Sequence, residues 1–132
     1  MAVSAVLPDS SFYIRHLRTG ADPLRALALA AATRDLATCG VIQCEVGRAL
    51  RPQRVREQFH AFWGVMINVP TDNRLWDEVE QSLWELDRRG ISLPLTDVVI
   101  ACCARRIRAV VLTYDKHFSQ IPNLRVTDRL ET

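Results

Sequence analysis

The sequence predicts a layered α/β domain built on a mostly parallel sheet. Three observations carry that expectation. Segments of strand character alternate with segments of helical periodicity along the chain. Ala109 to Thr113 is continuously apolar, as expected of a strand covered on both faces. No Asn-Gly pair offers the tight turn that joins antiparallel strands. With 132 residues, 48% of them hydrophobic, residues 1–132 read as a single domain with one core, stable without disulfides.

The first apolar run, AVSAVL, is a strand that stops at Pro8-Asp9, where Asp9 or Ser10 caps a helix reaching Leu17. Asp22-Pro23 opens an Ala/Leu-rich helix to about Ala32, with proline in the first turn, where its missing N–H costs nothing. Leu36 to Thr38 reads as a short strand, Val41 to Leu50 as a helix, and a further helix follows Pro52 to about Gly64. Val65 to Val69 is a strand ended by Pro70. Leu75, Val79, Leu83 and Leu86 then repeat at helical spacing, with Thr71 as the expected cap, Asp72 in the first turn and Gly90 as the stop. Thr96 is the expected cap of the next helix, which runs through Val98–Ala101 to Arg105 or Arg108. The strand Ala109 to Thr113 follows, and a last short strand covers Leu124 to Val126. Phe12, Trp76 and Trp84 read as core aromatics, with a partner groove as the other reading.

Composition excludes several classes. The longest stretch free of Asp, Glu, Lys and Arg, Gln58 to Thr71, is 14 residues and too short to span a bilayer. The start MAVSAVLPDSSF has no basic region and meets an acid at Asp9, so it is no secretory signal, and a cytoplasmic protein is expected. Cys39, Cys44, Cys102 and Cys103 lack C-x-x-C spacing and read as packed, reduced thiols. His16, His60 and His117 are scattered and read as surface or supporting residues. Walker, G-x-G-x-x-G, G-x-S-x-G and H-E-x-x-H motifs are absent from the sequence. Seventeen basic residues against fifteen acids give +2, which is no polybasic protein. Lys116 is the only lysine; the other sixteen are arginine, a skew that genomic codon bias also produces.

Four acids stand apart from the solvated helix faces. Asp9 directly follows the first strand, and Asp115 follows the strand Ala109–Thr113 by two residues. Ligands of open parallel sheets bind just beyond the strands' carboxyl ends, so this pair is a site candidate, although each also suits a helix cap. Asp97 lies in the first turn of an apolar helix, where the macrodipole favours an acid. Glu45 falls about 40° round from Val41, inside the arc of Ile42, Val46, Ala49 and Leu50. A carboxylate there pairs with an arginine or faces a cation. Two unit charges about 5 Å apart repel by about 3 kcal/mol at a dielectric of about 20. Four acids gathered together therefore need positive charge, for which Mg²⁺ or Mn²⁺ with oxygen ligands is the natural partner.

At these acids the chain resembles the PIN-domain proteins, and among them the VapC-type ribonuclease toxins of toxin–antitoxin pairs. The resemblance rests on VLPDSSFYI, IQCEVGRAL, LPLTDVVIACCA and VLTYDKHFSQIPNLRV, which carry Asp9, Glu45, Asp97 and Asp115 in the family's order. It implies a three-layer α/β/α sandwich with the acids at one end, and Mg²⁺- or Mn²⁺-dependent endonuclease chemistry on RNA. It also implies a homodimer and inhibition by a small antitoxin. On this reading Asp9, Asp97 and Asp115 hold metal, Glu45 assists directly or through water, and Ser11 and Thr113 orient water or a phosphate oxygen. Lys116 and some of the arginines grip the RNA backbone. A non-catalytic module whose acidic pocket docks a basic partner segment is the alternative. A phosphoacceptor domain suits Glu45 and Asp115 poorly. If the four acids belong to a cation, the remaining eleven face seventeen basic residues, so a neutral total hides a basic surface.

Overall fold

Among the described residues, five strands are laid down in chain order: β1 (Val6–Pro8), β2 (Ala37–Cys39), β3 (Ile67–Val69), β4 (Val110–Leu112) and β5 (Arg125–Thr127). The helices are α1 (Ser10–Arg18), α2 (Pro23–Ala30), α3 (Gly40–Gly47), α4 (Gln53–Trp63), α5 (Asn73–Arg88) and α6 (Leu95–Arg106). A short 3-10 helix, Lys116–Gln120, links β4 to β5 and was not foreshadowed by any periodicity. The structure, a computed structural model, describes residues 4–130. The expected first strand began in a run whose Ala2 and Val3 lie outside the described residues.

The strand pairings among the described residues are all parallel. One ladder has the order β1-β4-β5 and the other pairs β2 with β3. They meet through a parallel bridge between Val6 and Leu36, where the Val6 N–H donates to Asp35 O at 2.9 Å. The spatial order is therefore 3-2-1-4-5. The chain winds outward from β1 to β3, then crosses by way of α5 and α6 to β4 on the other side of β1. Winding reverses between β1 and β4, and in such sheets the crevice beyond the carboxyl ends at this point is where ligands bind. Register sets Pro8 beside Leu112, so the residues that follow each strand emerge together. With helices covering the sheet, the architecture is the expected α/β/α sandwich.

The core runs through Leu7, Ile42, Val46, Ile100, Val111 and Phe118, all fully buried. Helix α6 is buried along Val98–Ala104, and its small residues let it pack closely against α5 and α3. Trp63 donates its indole N–H to the Tyr13 hydroxyl at 3.2 Å, and burial raises the Tyr13 phenol above its ordinary range.

Several boundaries differ from expectation. Asp72 rather than Thr71 caps α5, because its Oδ1 reaches the Leu75 N–H at 2.9 Å. Helix α6 starts before Thr96: Pro94, fixed at φ −58°, precedes it, and the Val98 N–H closes the first turn on Pro94 O. Helix α3 ends at Gly47, with tighter i to i+3 bonds carrying the chain to Leu50. Val65 is 84% exposed and belongs to the turn after α4, so β3 begins later than expected. Trp76 and Trp84 lie outside the buried Leu75/Val79/Leu86 stripe and are exposed, with Arg88 over the Trp84 ring; Phe12 is core. Cys44 is exposed, while Cys39, Cys102 and Cys103 are buried thiols.

Candidate active site

The crevice at the winding reversal is an open cleft of 490 Å³ whose walls include Asp9, Glu45, Asp97 and Asp115. Four segments distant in sequence supply them. Asp9 directly follows β1 and caps α1, and the residue is 4% exposed. Glu45 comes from α3, Asp97 from the first turn of α6, and Asp115 from the exit of β4, where it caps the 3-10 helix and accepts the His117 N–H at 2.9 Å.

Buried hydroxyls fix the acids. Thr113, 3% exposed, donates from Oγ1 to Asp9 Oδ2 at 2.9 Å and accepts the Asp115 N–H at 2.9 Å. Its only proton is thereby committed to Asp9. The Ser11 hydroxyl, 3.0 Å from Thr113 Oγ1, must then donate to it, and it accepts the Tyr114 N–H at 3.0 Å. The expected water-orienting residues thus brace the carboxylates and the loop after β4. Lys116 is exposed and lines an adjoining cleft instead.

Glu45 is half-buried and is not paired with the arginine that was one of its two expected partners. Among the described residues it has no ion pair; Ser10 Oγ donates to its Oε1 at 2.6 Å. Ser10 was missed because a serine at the first helical position has no spacing signal. His117 was also underrated. Its Nδ1 lies 2.9 Å from Asp97 Oδ2 and 3.3 Å from Asp115 Oδ1. The useful clue was the short Asp115-x-His117 spacing across a helix start.

Desolvation raises the Asp97 carboxyl above its usual range, the His117 hydrogen bond opposes this, and the charges of Asp115 and Asp9 add to the rise. His117 is raised mainly by its hydrogen bond to Asp97, against desolvation and with help from the Asp115 charge. Donor atoms of Asp97, Asp115 and His117 lie within 4.8 Å of one another. Two carboxylates gathered with an imidazole are a donor set suited to a divalent cation. Asp9 and Glu45 share the cleft but stand outside this tight group.

No curated protein matches the chain by sequence. Among solved structures, the chain superposes on the DNA-bound VapBC of Salmonella typhimurium with a TM-score of 0.77 at 20% identity, covering 95% of this chain and 98% of that one. VapBC2 of Rickettsia felis, bound to a promoter DNA fragment, gives 0.76 at 17% identity over 93% and 97%. VapBC-5 of Mycobacterium tuberculosis gives 0.61 at 22% identity over 95% and 97%. The family model for the PIN domain matches residues 6–124, from the first strand to the approach of the last. With the parallel sheet, its winding reversal and the acids gathered there, that match makes this chain a member of the PIN-domain family.

Proposed function

We propose that the chain is a metal-dependent endoribonuclease hydrolysing phosphodiester bonds in RNA, and the toxin of a toxin–antitoxin pair. The observation that carries this reading is the convergence of Asp9, Glu45, Asp97 and Asp115 on one cleft at the winding reversal. Asp97 and Asp115 would hold Mg²⁺ or Mn²⁺, with Asp9 alongside and Glu45 assisting. The cation supplies positive charge against the phosphate and acidifies water.

The chain's own residues do the rest. Thr113 fixes the Asp9 carboxylate, Ser10 fixes one oxygen of Glu45, and His117 offers a proton at Nδ1 toward Asp97. Arg15 and Arg18 on the cleft wall bring positive charge to a polyanion entering an acidic crevice. The likeness in fold to VapBC complexes supports an antitoxin partner. Trp76 and Trp84 leave exposed aromatic surface of the kind enriched at protein interfaces. No helix among the described residues is long and apolar enough to cross a membrane, and we place the activity in the cytoplasm, with a homodimer as the working assembly.

The test compares wild type with Asp97→Asn on a random-sequence pool of single-stranded RNA, in Mg²⁺, Mn²⁺ or EDTA. Cleavage should need the metal and should fall at least a hundredfold in the variant, with its melting temperature preserved. Equal cleavage by both proteins, or cleavage that survives EDTA, overturns the mechanism. A protein that neither cuts RNA nor binds Mn²⁺ is the docking module instead.

A further inference from the structure

A second open cleft, of 540 Å³, adjoins the acidic one. The two share Arg15, Tyr114 and Asp115, and the second also presents Lys116, Ser119 and Thr127, with Asp128 at its edge. Arg15 and Tyr114 therefore form the ridge between a crevice of carboxylates and a neighbouring crevice that holds the chain's only lysine.

The ridge is built to stay still. The Arg15 guanidinium carbon lies 3.8 Å from the centre of the Tyr114 ring. Tyr114 is itself fastened: its N–H donates to Ser11 Oγ at 3.0 Å, and its ring stacks at 25° on buried Phe12, 6.1 Å away. Phe12 and Arg15, three apart on α1, share one helix face, so one helix supplies both contacts to the ring. Among the described residues Arg15 has no ion pair with an acid, and it is exposed. It is thus a charge set over an aromatic ring with no internal anion to satisfy. A planar fork already immobilised loses less freedom when it meets a phosphate.

We infer, given the endoribonuclease reading above, that single-stranded RNA crosses this ridge. The scissile phosphate lies among the acids, the adjoining phosphate on Arg15, and the next in the second cleft beside Lys116. Arg15 is then a substrate-binding residue that reads the backbone and not the bases. Tyr114 is a positioning residue that acts through Arg15. Sixteen arginines stand in the sequence, and this geometry selects one of them.

The experiment uses full-length protein carrying Asp97→Asn, so that RNA stays intact, and measures binding of a random-sequence oligoribonucleotide pool across a range of KCl. Each phosphate contact contributes about 0.7 to the slope of log K against log salt on a single strand. Adding Arg15→Ala should lower the slope by about 0.7 and Arg15→Lys should largely restore it. Tyr114→Leu should weaken binding several-fold while keeping the slope, and Tyr114→Phe should behave as the parent. In the cleavage-competent protein, Arg15→Ala should raise the apparent KM several-fold with kcat within about twofold, as loss of uniform binding requires. An unchanged salt slope, or a loss confined to kcat, overturns the inference while leaving the nuclease intact. Wild type that cuts no RNA overturns the nuclease reading instead, and the binding measurements still decide whether Arg15 holds a phosphate.

Discussion

The Thr113 hydroxyl donates to Asp9 Oδ2 at 2.9 Å, joining residues 104 apart in sequence across the paired ends of β4 and β1. It is buried, and it ties the exit of one strand to the first acid of the cleft. Thr113→Val removes the stronger donor and leaves buried Asp9 Oδ2 with only the long Ser11 N–H contact at 3.4 Å. A hydrogen bond to a charged group contributes about 1.5–3 kcal/mol, so urea unfolding should show a loss of that order, together with loss of cleavage. Thr113→Ser keeps the hydroxyl and should recover most of both.

Ser10 offers the matching test on the other wall. Its hydroxyl holds Glu45 Oε1 at 2.6 Å, and Ser10→Ala leaves that oxygen free to swing. Cleavage should fall about tenfold, the rate equivalent of about 1.4 kcal/mol, with the melting temperature nearly unchanged. Wild-type kcat in the variant would show that Glu45 needs no such support.

The end of α6 carries a correctable strain. Arg108 has φ 55°, and around it the Ala109 N–H donates to Ala104 O at 2.9 Å and the Arg108 N–H to Arg105 O at 3.2 Å. This is the glycine-type helix ending that Gly90, φ 78°, makes after α5. Arg108→Gly relieves the left-handed penalty and loses some stability to the freer unfolded chain. A net gain of up to about 1 kcal/mol in urea unfolding is expected.

Acid should weaken the join between α5 and α6. The Asp72 carboxyl is held below its ordinary value by the Leu75 N–H first and then by Arg106, whose Nη1 is 3.0 Å away. A group with a depressed folded pKa adds stability that is present above its unfolded value and is lost as pH falls toward the folded one. The melting temperature of wild type should therefore exceed that of Asp72→Asn near neutrality. The difference should shrink as pH drops below about 4, and salt should shrink it too, because the pair is exposed. A pH-independent difference would assign the effect to packing.

The sequence was informative where a pattern repeats or a backbone rule applies. The parallel sheet followed from alternation and from the apolar run before Thr113, and Asp9 was legible as a cap because it directly follows a strand. The convergence of the four acids on one cleft was also anticipated, from strand ends and from the resemblance together. Other features arise only from packing. Whether Trp76 and Trp84 are buried depends on which face of α5 meets α6, and periodicity placed the stripe without excluding its neighbours. The partner of Glu45 is a serine from another segment, set by how α3 lies against α1. The Arg15–Tyr114 ridge joins a helix to a loop about a hundred residues away, a distance no local window spans.

The pairing of β1 with β4 also governs when the cleft comes into being. Asp9 leaves the ribosome roughly a hundred residues before Thr113 and Asp115, and contacts so far apart in sequence form late and slowly. A nascent chain that stops just short of Asp115 has Asp9, Glu45 and Asp97 but not the last acid that completes the crevice. Under the nuclease reading, activity switches on only when synthesis has delivered the fourth strand and the loop beyond it.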